Sequence, residues 1–545
     1  MRTTRITAAA AGAVAALVFL SGCTGRADTS PVTSEPVDSS KLVSSLPAAT
    51  GAVDEVTWAL VEGEPTTLDP AGDYSLAIPN LCENLLTISP DFTVEPGVAT
   101  SADWVDPVTF VIDLRDDVTF WDGTSLTADD VAFSLERNRV ETSAWFPAFV
   151  LVDTIEVTGD LQVTVHFTAP DSTFRDAIAG AAGAVLSKAF VEQAGDAFGT
   201  STGGVMCTGP YVFDEWTPGT EIVTSANPDY WGGAPLVGTL TYTFITDGAT
   251  LANALLAGEV DGAFNVPPAS RDNFAGSDSG RLVLGPSTAS YSFGPTNSTG
   301  AGADPRIRQA LSLAIDREQF ITTVLHGLGE PQSTFTPPFA WSGMEAADQY
   351  TEAYDALAAP ELDLEQAKQL VEESGVDTSK PLVVAIPAGA KELSQTAAII
   401  QAAGAQIGLT IEIDERQPTD FSQIFFDPAA RESIDFVATV GYLDAPGVLG
   451  YAQQFLLPAE LGGFFNWSGY SNDEVTADLQ TARTTLDPAA SADAFIAAQE
   501  IFAPDQLQVT LASAYQTTFL QNGLTGVTTS VAVYSSPWAL HLGSE

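Results

Sequence analysis

The stretch from Trp104 to Arg137 constrains the fold of this chain more than any other segment. Its first part, 109–114, alternates apolar and polar side chains, which is the period-2 pattern of a half-buried strand. Thr127 is followed three residues later by Asp130, and this spacing predicts a capping box at the start of a helix. The stretch is therefore predicted to form strand, turn and capped helix, and nothing in it suggests catalysis.

The same stretch contains an ordered series of motif residues: Phe110, Leu114-Arg115, Val118, Phe120, Asp122-Gly123, Leu126-Thr127-Ala128, Asp130-Val131 and Phe133-Ser134. This series resembles the signature of the extracellular solute-binding proteins of family 5, the peptide- and nickel-type binding components of ABC importers. The resemblance implies an α/β fold of the bilobal periplasmic-binding-protein type (type II, with an extra insert domain), with hinge strands and two lobes around a cleft.

Further segments follow motifs of the same family. They are TLDP at 67–70, PNLCENLLT at 79–87, CTGPY at 207–211, NPDYW at 227–231, GEVD at 258–261 and PRIRQALSLAIDREQFITTVLHG at 305–327. The resemblance covers most of 56–520 and weakens after Asp444. Strand, helix and strand also alternate over 382–413, which independently favours an α/β lobe.

The net charge excludes one broad class of function. The chain has 70 acidic and 20 basic residues, a formal charge of -50, so it cannot assemble the basic surface that nucleic-acid binding requires. The acidity is compatible with solubility of an exported protein or with adaptation to salt. It is also compatible with long-range attraction of cationic ligands towards a cleft.

The N-terminus has the organisation of a lipoprotein signal peptide. Arg2 and Arg5 precede an apolar run over 8–20, which is too short for a permanent membrane span. Leu20–Cys23 resembles a lipobox, so we expect a signal peptide over 1–22, lipidation of Cys23 and a flexible tether over 23–50. A plain secretory peptide is the alternative. The protein is expected to be anchored to the outer face of the bacterial cytoplasmic membrane.

The resemblance and the α/β pattern together predict how the folded body is divided. The first lobe is expected to be discontinuous, an insert subdomain to pack on it, and the second lobe to follow. The expected ranges are 51–74 plus 201–292 plus 523–545 for the first lobe, 75–200 for the insert and 293–522 for the second lobe.

Motifs for catalysis and metal binding are missing from the sequence. It has no G-x-x-x-x-G-K-[ST], H-E-x-x-H, C-x-x-C or G-x-S-x-G segment, and its three histidines, His166, His326 and His541, are far apart. We therefore expect no catalytic residue, no metal site and no cofactor. A triad formed by distant residues and a carboxylate site for a hard cation remain open.

Cys82 and Cys207 are the two cysteines that remain after Cys23 is assigned to lipidation. Disulfides persist outside the cytoplasm, and a single pair allows a single connectivity. Both cysteines lie in family motifs near the expected junction of the first lobe and the insert. A Cys82–Cys207 bridge is favoured, and two buried free thiols are the alternative.

Candidate ligand-binding residues come from the resemblance. In peptide binders of this family a GWxxDYPDP segment lies on the cleft, and its first Asp holds the α-ammonium of the peptide. Here Tyr442 falls on the Trp, and Asp444 falls on that Asp when one residue is deleted. A surface turn is the other interpretation of this segment. Four aromatic residues complete the set of candidates, with core packing as their alternative: Trp341, Tyr74, Trp145 and Phe293.

These observations predict a binding protein rather than an enzyme. The expected role is the substrate-binding component of an ABC importer that captures an oligopeptide or dipeptide and delivers it to membrane permease subunits, acting as a monomer. The same fold binding an oligosaccharide, an opine or a metal chelate is the first alternative. A surface hydrolase and a receptor lipoprotein without transport are alternatives from other classes.

Overall fold

The computed structural model describes residues 37–72, 75–140, 142–441, 443 and 445–545. The predicted signal peptide 1–22, the lipidation site Cys23 and the tether as far as residue 36 lie outside the described residues.

The first lobe is built on a seven-stranded mixed sheet. Its strands, in order across the sheet, are Gly280–Gly285, Gln516–Gln521, Gly262–Phe264, Val53–Leu60, Val237–Phe244, Glu221–Ala226 and Tyr211–Thr217. The core beneath it centres on the indole of Trp58, whose ring lies 4.7 Å from Phe264 and 4.6 Å from Trp538. Residues from near both ends of the described chain therefore share one core, and the first lobe is discontinuous in sequence.

The second lobe contains a six-stranded sheet. Its strands, in order, are Gly329–Pro331, Val509–Ala514, Ser290–Pro295, Phe436–Gly441, Leu382–Pro387 and Ile411–Arg416. The strand–helix–strand unit predicted over 382–413 is present, with parallel pairing of its two strands. The α/β bilobal fold expected from the sequence is confirmed.

The chain crosses between the lobes at two places. One crossing is 286–289, between the strands that end at Gly285 and begin at Ser290, and the other is Tyr515. The apolar run 509–520 is two strands that belong to different sheets. Strand pairing therefore places 516–521 with the first lobe, whereas the sequence-based division assigned it to the second.

The insert forms a four-stranded antiparallel sheet beside the first lobe. Its order is Ala99–Asp106, Thr109–Leu114, Gln162–Phe167 and Val152–Gly159. The capping box predicted at Thr127 is present, with the backbone N–H of Asp130 donating to the Thr127 hydroxyl and the Asp130 carboxylate accepting from the Thr127 N–H. Two short hairpins complete the strands: Leu86–Ile88 with Val94–Pro96, and Leu524–Thr525 with Gly543–Ser544.

The helices are concentrated in the second lobe. The first lobe has Ile78–Leu81, Lys188–Ala194, Gly248–Ala257 and Arg271–Phe274, and the insert has Ala128–Arg137 and Phe174–Ala177. The first two helices lie within 75–200, the range expected for the insert, but they pack in the same core as Trp58 and are therefore assigned to the first lobe. The second lobe has Pro305–Leu313, Arg317–Thr323, Ala347–Ala356, Leu364–Ser374, Lys391–Gln406, Pro418–Phe426, Pro428–Arg431, Leu449–Leu456, Asp473–Thr484 and Pro488–Phe502. Within the described ranges, no helix combines the length and the apolar character needed to cross a membrane.

The junction between the insert and the first lobe is held by a covalent bond and a polar network. Cys82 and Cys207 form a disulfide with a Cα–Cα distance of 4.9 Å. Beside it, the carboxylate of Glu83 accepts hydrogen bonds from the hydroxyls of Thr208 and Tyr230, both at 2.7 Å, and from the indole N–H of Trp231 at 3.0 Å. The insert is thereby fixed to the first lobe.

The segment 37–50 differs from the flexible tether that we predicted. The backbone N–H of Val43 donates to Leu284 and that of Leu46 to Val527, each at 2.9 Å, so the segment is bonded to the first lobe. The N–H of Val37 donates to Gly327 of the second lobe at 3.0 Å. The Ser- and Pro-rich composition favoured a solvated coil, but these backbone groups find partners on the folded body.

Candidate functional site

A cavity of about 1220 Å³ lies between the second lobe and the insert that packs on the first lobe. The insert contributes the ends of its sheet and the short helix Phe174–Ala177, and the second lobe contributes the end of the strand Phe436–Gly441 and the loop that follows it. The residues 445–450 of that loop and the following helix all line the cavity. Because residues from the insert and the second lobe form its walls, movement of one against the other changes the shape of this site.

Aromatic side chains form a continuous wall on the second-lobe side. Phe425, Phe465 and Trp467 pack against one another, with ring centroids 5.6–6.2 Å apart. The guanidinium of Arg431 lies 4.5 Å from the Trp467 ring and covers its outer side. Phe426, at the edge of this wall, is 80% exposed. Such a surface offers apolar contact area to a ligand that enters the cavity.

The sequence-predicted site residues divide into three groups. Trp145 lines the cavity, and its indole N–H donates to the carbonyl of Pro70 at 2.8 Å. Tyr74, Tyr442 and Asp444 lie outside the described residues. Their role stays a prediction, although the described neighbours of the last two, 441, 443 and 445, line the cavity.

The other two predicted ligand residues belong to the core. Trp341 is 3% exposed, packs against Tyr350 and Tyr354, and donates its indole N–H to Thr351 at 3.0 Å. Phe293 is completely buried and meets Phe436 edge-on. The predictions for Trp341 and Phe293 are therefore wrong, because each ring fills a hydrophobic cluster and neither is among the cavity-lining residues.

An ion pair joins the insert to the second lobe across the cleft. The Arg483 guanidinium donates to the Asp171 carboxylate at 2.7 and 3.2 Å, and Asp171 is fully buried. Next to it, the backbone N–H of Ser172 donates to the carbonyl of Arg483 at 2.8 Å and the Ser172 hydroxyl donates to the Ala482 carbonyl at 3.1 Å. The insert and the second lobe are thus in polar contact in this structure.

Two charged side chains of the helix Phe174–Ala177 line the cavity. Neither Arg175 nor Asp176 makes a hydrogen bond or ion pair with another described side chain. Burial raises the pKa of the Asp176 carboxyl to about 7, and the nearby positive charge of Arg175 opposes that shift. The pKa of the Tyr350 hydroxyl is raised, first by burial and then by the charge of Asp176, so the tyrosine lies close to this carboxylate.

Metal-ligating side chains do not form a cluster around the cavity or elsewhere in the described part of the chain. Among the described residues, no group of three or more His, Cys, Asp or Glu side chains is arranged to hold a metal ion. The three histidines are likewise absent from the cavity lining. The polar chemistry of the cavity wall therefore rests on carboxylates, guanidinium groups, amides and hydroxyls.

Sequence reasoning did not identify two features of the cavity: the charged side chains of Arg175 and Asp176, and the aromatic wall. Arg175 and Asp176 stand in a polar segment without a motif, and no spacing rule distinguishes them from surface charges. The aromatic wall had a signal, because 421–426 and 464–467 are dense in Phe and Trp. Those two segments are separated in sequence, and only the fold brings them together.

Comparison with known proteins agrees with this architecture. The model of the family described as bacterial extracellular solute-binding proteins, family 5, matches residues 93–463. The chain is 26% identical over 377 residues to the periplasmic murein peptide-binding protein MppA of Escherichia coli K12, covering 65% of this chain and 69% of that protein. It is 27% identical over 371 residues to the oligopeptide-binding protein AppA of Bacillus subtilis 168, covering 66% of this chain and 64% of that protein.

Solved structures share the fold. AgaA of A. tumefaciens R10, in complex with agropinic acid, superposes with a TM-score of 0.78 at 22% identity over 90% of this chain and 99% of that one. AppA of Bacillus subtilis, in complex with a nonapeptide, gives 0.77 at 20% identity over 91% and 99%. NikA of Staphylococcus aureus, in complex with Ni(L-His)2, gives 0.74 at 18% identity over 88% and 98%. With the family model matching well over half of its length, this chain belongs to the bacterial extracellular solute-binding proteins of family 5.

Proposed function

We propose that this chain captures an oligopeptide or dipeptide in its interlobe cavity and delivers it to the permease of an ABC importer. Family 5 proteins are solute-binding components of ABC importers and bind peptides or small molecules. The family membership leaves the ligand open, because the related structures hold a nonapeptide, an opine and a nickel chelate. The choice of a peptide therefore rests on the cavity.

The size of the cavity is the observation that carries the proposal. Pockets for drug-sized ligands occupy about 300–1,000 Å³, and this cavity, at about 1220 Å³, exceeds that range. A peptide of several residues suits this volume better than a compact chelate or a single sugar does. The aromatic wall of Phe425, Phe465 and Trp467 offers apolar contact for side chains, and the polar groups around the cavity offer partners for peptide amides.

The proposed mechanism is capture by lobe closure. The two crossings at 286–289 and Tyr515 are the places where backbone rotation can move the lobes relative to each other. The insert, expected over 75–200, would move with the first lobe. Closure brings Arg483 onto Asp171, buries the ligand and creates the surface that a permease can recognise.

Ligand panels test the peptide assignment. Thermal-shift and calorimetric titrations would use a pool of synthetic di- to pentapeptides, an oligosaccharide set, an opine set and nickel–histidine. We expect saturable binding from the peptide pool and none from the other sets. Binding of only an opine, sugar or nickel chelate would contradict the proposal. The same peptides incubated with the protein should remain uncleaved, and their hydrolysis would favour the surface hydrolase.

The proposal includes a lipid anchor at Cys23 and monomeric action. The charged, apolar and Leu-Ser-Gly-Cys order of the N-terminus supports it. Cys23→Ser is expected to prevent acylation and to release the protein from the membrane fraction. Normal processing and membrane retention of the Cys23→Ser variant would contradict the anchor.

Asp444 stays in the proposal as a partner of the peptide α-ammonium, and Tyr442 as an aromatic neighbour. The support is the family resemblance of 440–446 and the position of 441, 443 and 445 on the cavity wall. Asp444→Asn should weaken binding of free peptides about 10-fold or more and leave N-acetylated peptides unaffected. Equal calorimetric affinity of the wild type for free and acetylated peptides would remove Asp444 from this role.

A further inference from the structure

We propose that Asp176 forms a subsite for a primary ammonium group of the ligand, set between the insert and the second lobe. This inference rests on the proposed function and deepens it. It assigns to the insert subdomain a second carboxylate for the ammonium group that the family resemblance assigns to Asp444. It also predicts that ligands with an unblocked amine are preferred.

The position of the carboxylate is the first argument. Asp176 projects from the helix Phe174–Ala177 of the insert towards the loop that follows the strand Phe436–Gly441 of the second lobe. Gly447 of that loop has a φ of +115°, and a Cβ added to it would lie 3.9 Å from Oδ2 of Asp176. The carboxylate is thus held where the insert and the second lobe meet at the cavity.

The absence of a partner is the second argument. Asp171, five residues earlier, accepts two hydrogen bonds from Arg483 and two from Thr173, so its oxygens are well used. Asp176 has no hydrogen-bond donor among the described residues, although it is only partly exposed to solvent. A carboxylate withdrawn from water without a donor is costly, and a cationic ligand group removes that cost.

The surroundings favour an ammonium group over a metal ion. A hard cation requires about six to eight oxygen ligands, and no acidic cluster of that kind is present in the described part of the chain. The side chain of Tyr350 also lines the cavity. Arg175 also lines the cavity, and its guanidinium offers hydrogen-bond donors to carbonyl oxygens of a ligand.

The first experiment compares two variants against one peptide in two forms. The probe is the tightest-binding member of the di- to pentapeptide pool, used with a free amine and with an acetylated amine. Asp176→Asn should bind the free form about 10- to 100-fold more weakly than wild type and the acetylated form about equally. Asp160→Asn removes the same charge from an exposed turn of the insert outside the cavity, and it should bind both forms as wild type does.

Wild-type affinity of the Asp176→Asn variant for the free-amine peptide would overturn the subsite while leaving peptide binding intact. Equal losses in Asp176→Asn and Asp160→Asn would also overturn it, because the effect would then be that of overall charge. Both variants are first compared with wild type by thermal unfolding, so that misfolding is separated from lost recognition.

A second experiment tests the subsite without assuming a peptide ligand. Millimolar 2-phenylethylamine should raise the unfolding temperature of wild type and of Asp160→Asn but not of Asp176→Asn. 2-Phenylethanol, which has a similar shape and no charge, should not distinguish the three proteins. Equal shifts by the amine in wild type and Asp176→Asn would overturn the subsite. An Asp176-dependent shift in a protein that binds no peptide would support the subsite and reject the peptide assignment.

Discussion

Glu83 and Asp176 are two carboxylates of the insert region with pKa values raised to about 7 by burial, yet their surroundings are opposite. Glu83 lies at the junction with the first lobe and accepts hydrogen bonds from three side chains, those of Thr208, Tyr230 and Trp231. Asp176 lies at the cleft and has no donor among the described residues. The Glu83 carboxylate is hydrogen-bonded within the protein, whereas the Asp176 carboxylate is left to bind a group of the ligand.

The contrast extends to how the insert is attached on its two sides. Towards the first lobe the insert is held by the Cys82–Cys207 disulfide and by the hydrogen bonds to the Glu83 carboxylate. Both would have to break before the insert could move away from the first lobe. Towards the second lobe it makes the Asp171–Arg483 ion pair and a few polar contacts, which water can replace. We infer that the insert and the first lobe act as one body and that the cleft opens against the second lobe.

Removal of the disulfide is expected to have the largest effect on stability. Cys82→Ser combined with Cys207→Ser releases a loop of 125 residues and should lower the free energy of unfolding by about 5 kcal/mol in the chain-entropy model. Denaturant titration with and without reductant measures the difference. Ligand affinity of the folded fraction should not change. A loss below about 1 kcal/mol would contradict a fixed junction.

Truncation of Glu83 should be the next most damaging change. Glu83→Ala leaves the donors of Thr208, Tyr230 and Trp231 without their acceptor in a buried site, so we expect a loss of about 3 kcal/mol in the free energy of unfolding. Glu83→Gln retains one acceptor oxygen and should lose about 1 kcal/mol. Similar stability of wild type and Glu83→Ala in urea titrations would show that this network does not hold the junction.

Disruption of the interlobe ion pair should affect ligand binding more than stability. Asp171→Asn leaves Arg483, 11% exposed, without a counter-ion when the lobes are in contact, and opening returns it to water. Ligand affinity should therefore fall about tenfold, equivalent to about 1.4 kcal/mol. Small-angle scattering should show a more open average shape. Glu136→Gln, which breaks the exposed pair with Arg139, is the control and should bind as wild type.

The smallest expected effect is the pH dependence contributed by Asp176. Its pKa is raised from 3.8 to about 7, so between these values the folded, ligand-free protein binds more protons than the unfolded chain. Stability then falls as the pH rises from about 4 to 7. The full shift would correspond to about 4 kcal/mol at pH 7, but solvent screening of this partly exposed carboxyl reduces the effect. Asp176→Asn should therefore be more stable than wild type by about 1 kcal/mol at pH 7 and equal to it near pH 4. A pH-independent difference in thermal unfolding between the two proteins would contradict this assignment.

The sequence predicted elements whose signals are local. The capping box at Thr127 and the helix after it needed only the spacing of side chains within one segment. The division of 509–520 into two strands could not be predicted, because both halves are buried and apolar and the change of sheet occurs at Tyr515 without a turn residue. The distribution of apolar residues along a strand indicates which side chains are buried, but it does not indicate which sheet the strand joins.

The site was less predictable than the fold. Trp341 and Phe293 were predicted to contact the ligand, but both are buried in the core. The sequence around an aromatic residue does not distinguish a core position from a position on a cavity wall. Asp176 gave no signal, because its significance comes from the second-lobe loop that faces it and from the donors that it lacks. Such features depend on contacts between segments that are hundreds of residues apart.

Native mass spectrometry of the protein, purified without denaturation from its own host, tests the central claim most directly. The account predicts a bound mass that fragments as a peptide and reacts with an amine-specific reagent after release, because the interlobe cavity is assigned to a peptide and Asp176 to its ammonium group. A bound sugar, opine or nickel chelate in place of a peptide would contradict it.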